Sequence, residues 1–331
     1  MKPLRIGVLG AARIAPTALI APARSMEGVE IAGVAARQPD RAAAFARRHR
    51  IAGVYPSYEA LIADPAIDAV YNPLPNSLHG RWTIAALEAG KHVLCEKPFT
   101  ANAQEAEAVA AVARRTGLIV MEAFHYRYHA LVARALSIIA SGELGDVRHI
   151  AATFRFHLPG KDDIRWRLPL GGGATMDAGC YAIHMVRTLA AAEPTVRTAR
   201  AKLHSPGVDQ LMQAELDFAD GRTGTITAAM RGWPLFAIAA RVEGTAGTLR
   251  IANFVMPQLW NRLTIETQAG RRKERAASHP SSYAAQLAAF LTAVRTGVPP
   301  ITDASDAIAN MRVIDACYAA AGLEPRAPFM N

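Results

Sequence analysis

Apolar and polar positions along this chain follow two different periods. From Leu4 to Glu122, short apolar runs alternate with stretches whose apolar residues recur at helical spacing. The runs are Leu4–Leu9, Val29–Ala35, Ala69–Tyr71, Lys91–Leu94 and Leu118–Met121. Between them the spacing predicts helices beginning at Pro39-Asp40, near Ser57–Ala63, from a Ser77 cap to Ala89, and from an Asn102 cap to Thr116, where Gly117 stops the turn. Strands alternating with such helices make βαβ units and a parallel sheet. The strand-end loops 7–15, 36–41, 72–79 and 96–98 then open along one edge, where ligands of open α/β sheets bind.

Beyond Gly142 the period shortens to two. Val147–Phe156 and Gln210–Phe218 alternate, with Met212, Ala214, Leu216 and Phe218 on one face and Gln213, Glu215 and Asp217 on the other. Asp220-Gly221 marks a hairpin returning through Thr223–Ala228, and Val242–Leu249 marks another. Helices are expected at Asp177–Ala191, Tyr283–Thr296 and Ala304–Ala321. The fold class is therefore α/β. A Rossmann dinucleotide-binding domain is expected over 1–124, and over 125–331 an α+β domain with a large open, mostly antiparallel sheet.

Composition narrows the partners. The chain is 331 residues, 51% apolar and 20% charged, which suits a soluble globular protein of two domains. No apolar run approaches the roughly 20 residues of a membrane helix, so no membrane partner is expected. Lys2 leads straight into the first strand pattern, which leaves no room for a signal peptide, and three widely spaced cysteines suit neither a disulfide framework nor a cysteine metal site. A cytoplasmic location follows. The net charge of +9 comes mostly from scattered arginines; the densest cluster, Arg271-Arg272-Lys273 with Arg275, reads as a turn beside Gly270. No recognition motif accompanies it, so a solvated surface is the better reading and no nucleic-acid partner is expected.

The chemistry gathers at a few places. Gly10-Ala11-Ala12-Arg13-Ile14-Ala15 follows the first strand as Gly-x-Ala-x-x-Ala, a variant of the dinucleotide fingerprint in which Ala12 stands where a glycine would let the backbone nearer a pyrophosphate. About 20 residues further on, an acidic residue would favour NAD. This chain has Ala36 there, with Arg37 beside it and Arg41 one turn on; two arginines suit a 2′-phosphate, so NADP(H) is preferred and NAD(H) is second. Lys97, in Glu96-Lys97-Pro98, stands at a strand's carboxyl end with three donors and a full charge, and a cis bond before Pro98 is compatible with the tight turn. In Gly171-Gly-Gly-Ala-Thr-Met-Asp177-Ala-Gly-Cys-Tyr181-Ala-Ile-His184, the carboxylate, phenol and imidazole fall at i, i+4 and i+7, one helical face. No second pair with ligand spacing supports a catalytic metal.

With these stretches in hand, the chain resembles the Gfo/Idh/MocA oxidoreductase family over nearly its full length. The matching blocks are Gly7–Ala15, Asn72–His79, Glu96-Lys97-Pro98, Met121-Glu122-Ala123, Gly171–Tyr181 and Val242–Leu249. Tyr181 at the fourth place after Asp177 is similar to the dihydrodiol dehydrogenase and glucose-fructose oxidoreductase branch. The resemblance implies that Asn72, Pro73, Leu74, Asn76, His79, Glu96, Lys97 and Ala123 line the cofactor. It implies that Lys97 and Tyr181 flank the reacting substrate carbon, with Asp177, Arg165 and His184 around the substrate. By analogy with members acting on 1,5-anhydrofructose, Trp166, Arg167 and Tyr283 border the cofactor; the sequence alone offers only an exposed Trp166 between two arginines. The expected reaction is hydride transfer between nicotinamide and a carbonyl or secondary alcohol of a sugar, polyol or cyclic diol. Tyr181 moves the proton, and Lys97 depresses its pKa. A homodimer or homotetramer is the family's habit. Two rival expectations are a cofactor-dependent glycoside hydrolase working by oxidation and elimination, and a non-catalytic NADP-sensing regulator; retention of Lys97 and Tyr181 speaks against the latter.

Overall fold

The computed structural model describes residues 2–160 and 162–329; Met1, Lys161, Met330 and Asn331 lie outside the described residues. The chain divides into two compact units. The first comprises Met1–His125, Tyr283–Ile308 and Pro328–Asn331, the second Tyr126–Ser282 and Ala309–Ala327. Segment 283–308, expected with the second domain, thus clusters with the first.

Strands β1 (Leu4–Leu9), β2 (Val29–Ala35), β3 (Gly53–Tyr55), β4 (Ala69–Asn72), β5 (His92–Cys95) and β6 (Val120–Glu122) form a parallel sheet in the order β3-β2-β1-β4-β5-β6. Their interiors are continuous apolar runs, with Ile6, Val8, Val34, Val70, Val93, Leu94 and Met121 all fully buried, as a sheet covered on both faces requires. The covering helices are α1 (Ala21–Arg24), α2 (Pro39–His49), α3 (Tyr58–Ala63), α4 (His79–Glu88) and α5 (Ala103–Thr116). Asn102 caps α5 by accepting from Glu105 N at 2.9 Å, and Gly117 ends it in a left-handed conformation. Ser77 is not the cap expected of it: it lies buried inside a 3₁₀ turn, Asn76–Leu78, that leads into α4. The strand order reverses between β1 and β4, so their carboxyl ends open the crevice in which doubly wound sheets bind ligands.

The second unit adds helices α6 (Ala130–Ala140) and α7 (Cys180–Ala190) to a sheet of β7 (Val147–Phe156), β8 (Thr195–Ser205), β9 (Val208–Asp217), β10 (Thr223–Ala229), β11 (Phe236–Gly244), β12 (Gly247–Ala252), β13 (Arg262–Thr267) and β14 (Gly270–Glu274). Its order is β14-β13-β12-β11-β7-β10-β9-β8, antiparallel except where β10 runs parallel to β7. Met212, Ala214 and Leu216 are buried and Gln213 and Glu215 exposed, as the alternation predicts. Two further helices are α8 (Ser282–Thr296) and α9 (Ala304–Ala320).

The basic cluster at Gly270 is an edge strand, β14, and not a turn. Two of its charges are paired: Arg271 meets Glu266 at 3.0 Å, while Arg272 meets Glu143 at 2.7 Å and Glu274 at 3.0 Å. Hydrogen bonding from Arg134, then Arg272, holds the Glu274 carboxyl down at about 2, against an ordinary 4.5, with burial opposing. A depressed carboxylate stabilises above its unfolded pKa and loses that contribution as pH falls toward the folded one. Glu274→Gln should therefore flatten the acid limb of the stability curve between pH 4.5 and about 2, read as urea midpoints against pH. High salt should shrink the difference, because both arginines are solvent-accessible.

Candidate active site

In the first unit, β1 leads into Gly10, whose φ of +88° lets the chain turn at once toward the following helical turn. Gly10 N donates to Ala35 O at 2.7 Å, and a Cβ on Gly10 would stand 3.1 Å from Leu74 Cδ2. One small residue thus joins the ends of β1 and β2 to the loop after β4, and leaves backbone amides at the turn, a fit for a pyrophosphate. Ala11 and Ala12 are half-buried, Arg13 and Ile14 exposed. At the end of β2, Ala36 is buried while Arg37 and Arg41 are exposed. Tyr58, unremarked in the sequence, joins them. Burial raises its phenol pKa, and the Arg37 backbone N–H and the charges of Arg37 and Arg41 pull it back.

Asn72 folds the next loop onto itself, donating to His79 O at 3.0 Å and Thr83 Oγ1 at 3.1 Å. Pro73 is buried, and Leu74 and Asn76 are half-buried. His79 is buried, with its ring nitrogens 2.7 Å from Pro98 O and 2.7 Å from Leu74 O. Two carbonyls favour the imidazolium, but burial, aided by the Lys97 charge, outweighs them and takes the ring down to about 4. His79 thus sits between loop 72–79 and Pro98, whose bond to Lys97 is cis.

Glu96 is buried and accepts from Tyr71 OH at 2.7 Å. Lys97, next in the chain, is half-buried. Burial and then Glu96 raise the Tyr283 phenol, and Lys97 opposes them, so the three groups share one field. The Tyr283 ring stacks on His125 at 3.9 Å, and buried Ala123 donates to Cys95 O at 2.8 Å.

In the second unit, a π-turn over Thr175–Gly179 precedes α7, with Cys180 N bonding to Thr175 O. The wider turn shifts the helical register locally between Asp177 and Tyr181. Asp177 accepts from Arg165 Nε at 2.9 Å, and Arg165 also meets Asp163 at 3.2 Å. Asp177, foremost, raises the Arg165 pKa, so this pair stays ionised. Tyr181 is 5% exposed, with its ring edge-on to Phe154 at 5.5 Å and 5.9 Å from Tyr126. His184 is fully enclosed, and Tyr126 OH lies 2.5 Å from its Nδ1. Trp166 corrects the expectation of an exposed ring. It is buried with Leu158, Ala174, Val208 and Met230, and stacks on His204 at 4.2 Å. Arg167 beside it is exposed. Among the described residues, no group of three or more His, Cys, Asp or Glu side chains is placed to hold a metal ion, and no helix is long and apolar enough to cross a membrane.

Sequence reasoning does not reach the Tyr71–Glu96 bond, Tyr58 beside Arg37, or the Tyr126–His184 bond. A tyrosine directly before the Asn72 strand end is the available signal for Tyr71; the other two partnerships join residues far apart in the chain and leave no local trace.

Comparison with known proteins agrees with this arrangement. Residues 4–124 match the GFO_IDH_MocA family, described as an oxidoreductase family with an NAD-binding Rossmann fold. Residues 132–250 match the GFO/IDH/MocA C-terminal domain. D-xylose 1-dehydrogenase (NADP(+)) 2 of Haloferax volcanii is 39% identical, covering 96% of this chain and 97% of that protein. Trans-1,2-dihydrobenzene-1,2-diol dehydrogenase of Xenopus tropicalis is 30% identical over 74% of this chain and 72% of its own. Among solved structures, the 3-ketoreductase KijD10 of Actinomadura kijaniata, in complex with NADP and TDP-benzene, superposes with a TM-score of 0.88 at 30% identity, covering 95% of this chain and 97% of that one.

Proposed function

Because the chain belongs to the Gfo/Idh/MocA oxidoreductase family, we propose that it is an NADP(H)-preferring dehydrogenase or reductase. Its substrate class is a sugar, polyol or cyclic diol, reacting at a carbonyl or secondary alcohol carbon, with NAD(H) the poorer cofactor. The observation that carries this reading is the sheet edge of the first unit. There the Gly10 turn, the exposed Arg37 and Lys97 beside the Tyr71-anchored Glu96 stand at carboxyl ends of parallel strands, with the exposed Arg41 in the first turn of α2.

When bound, the nicotinamide supplies or accepts the hydride. The chain's own residues do the rest. Lys97 offers its cation to the substrate oxygen on which charge develops, Tyr181 gives that oxygen its proton in reduction or takes it in oxidation, and Asp177, kept ionised by Arg165, accepts from substrate hydroxyls. The relatives are named as dehydrogenases and a reductase, which favours net hydride transfer over glycoside cleavage or cofactor sensing. Buried, free Cys95, Cys180 and Cys317 favour a cytoplasmic setting. A homodimer or homotetramer, the family's habit, is part of this proposal; sedimentation as a monomer would contradict it.

The test is a titration with NADPH and with NADH, followed by nicotinamide fluorescence. NADPH should bind the more tightly, and Arg37→Ala should weaken NADPH by roughly 1.5–3 kcal/mol, the worth of a charge-assisted contact, while leaving NADH nearly unchanged. A preference for NADH would overturn the assignment of Arg37 and Arg41.

A further inference from the structure

We infer that Asp209 and Arg326 are positioning residues for the reaction: a buried clamp that fixes the loop of Arg165 against the helix bearing Asp177 and Tyr181. The inference rests on the proposed roles of those residues in hydride transfer. Asp209 and Arg326 meet at 2.9 Å, with side chains 0% and 1% exposed. Asp209 Oδ2 accepts from Thr175 N at 2.7 Å and Thr175 Oγ1 at 2.6 Å, and Oδ1 accepts from Tyr318 OH at 3.0 Å. Arg326 Nε donates to Gly172 O at 2.8 Å. The clamp thus holds the backbone on both sides of Gly173. Gly173 has φ of +132°, and any Cβ there would collide with Asp209 Oδ1.

What hangs from this short segment is the site. Gly172 N donates to Arg167 O at 3.0 Å and Gly173 N to Arg165 O at 2.9 Å, so the clamped backbone carries the Arg165 loop. Asp177 N donates to Gly173 O at 3.1 Å, and the π-turn starts at Thr175, the residue Asp209 grips twice. Both halves of the Arg165–Asp177 pair are referred to one anchor. A fully buried ion pair is an expensive way to gain stability, since apolar side chains of similar volume often do as well. It is an effective way to fix a geometry, because each Asp209 oxygen accepts two hydrogen bonds.

The test uses Thr175→Val, which keeps the side-chain shape and removes the Oγ donor, Thr175→Ser, which restores it, and Asp209→Asn. Turnover, NADPH binding, melting temperature and amide hydrogen exchange in the NADPH complex are read for each. The clamp predicts that Thr175→Val lowers kcat about ten-fold or more, since small misplacements cost that much. NADPH affinity should stay within about two-fold, and Thr175→Ser should recover most of the rate, whatever the melting temperature does. Exchange across 173–181 should rise in Thr175→Val and Asp209→Asn above the rest of the protein. A lowered melting temperature with unchanged kcat would make the pair merely structural and overturn the inference. Unchanged exchange across 173–181 would overturn it even if the wild-type protein reduced no sugar, a result that would count against the proposed function instead.

Discussion

Tyr181→Phe should slow hydride transfer roughly 10²–10⁴-fold, the usual worth of a positioned general acid or base, while NADPH binds as before. The substitution is clean because of how the ring is held. Phe154 and Tyr126 pack on its faces and edges, and phenylalanine keeps those contacts. The neighbouring Tyr126–His184 hydrogen bond is made by two side chains that the substitution leaves in place. What disappears is one O–H on the residue that begins the second turn of the helical segment after Asp177. Single-turnover rates with saturating NADPH measure the loss directly. A rate near that of the wild type would mean that another group carries the proton.

Lys97→Met should cost roughly 10²–10³-fold in the same rate, comparable to removing a donor aimed at developing negative charge. Methionine fills the space of the lysine stem, and Glu96 keeps its bond from Tyr71 at 2.7 Å. The expected signature is a fall in kcat that exceeds any rise in KM, since the cation matters most when the substrate oxygen gains charge. Lys97→Arg should not rescue, because a planar fork cannot replace a compact ammonium beside Pro98. A variant that raised KM alone would reassign Lys97 to ground-state binding.

Much of this arrangement was legible in the sequence because it is written in short-range signals. The βαβ alternation, the Gly10 turn, the Asn102 cap and the 212–218 alternation each depend on residues within one or two turns of each other, and the structure reproduces them. Other features were not legible. Strands β8 and β14 carry Arg197, Arg200, Arg271 and Arg272 at the margins of an open sheet, where burial does not enforce alternation. The helix α6 went unread, and the π-turn could not be read, because an inserted residue changes the helical register without changing composition. Long-range polar pairs leave no local trace: Tyr71 with Glu96, Tyr126 with His184, and Asp209 with Arg326 lie far apart in the chain. Trp166 was misjudged for a related reason. Arginines on either side suggested exposure, but the ring turns inward onto His204 and a small apolar cluster.

The most direct measurement is isotope transfer. The protein would be incubated with NADPH deuterated at nicotinamide C4, one face at a time, and a panel of aldoses, ketoses and cyclic diketones, and the products weighed by mass spectrometry. The account predicts a product alcohol carrying deuterium on its carbinol carbon from one face only, with an equal amount of NADP formed, and no such product from Tyr181→Phe or Lys97→Met in the same time. Cleavage of an added glycoside with no net consumption of NADPH, or tight NADPH binding with no label in any product, would contradict it.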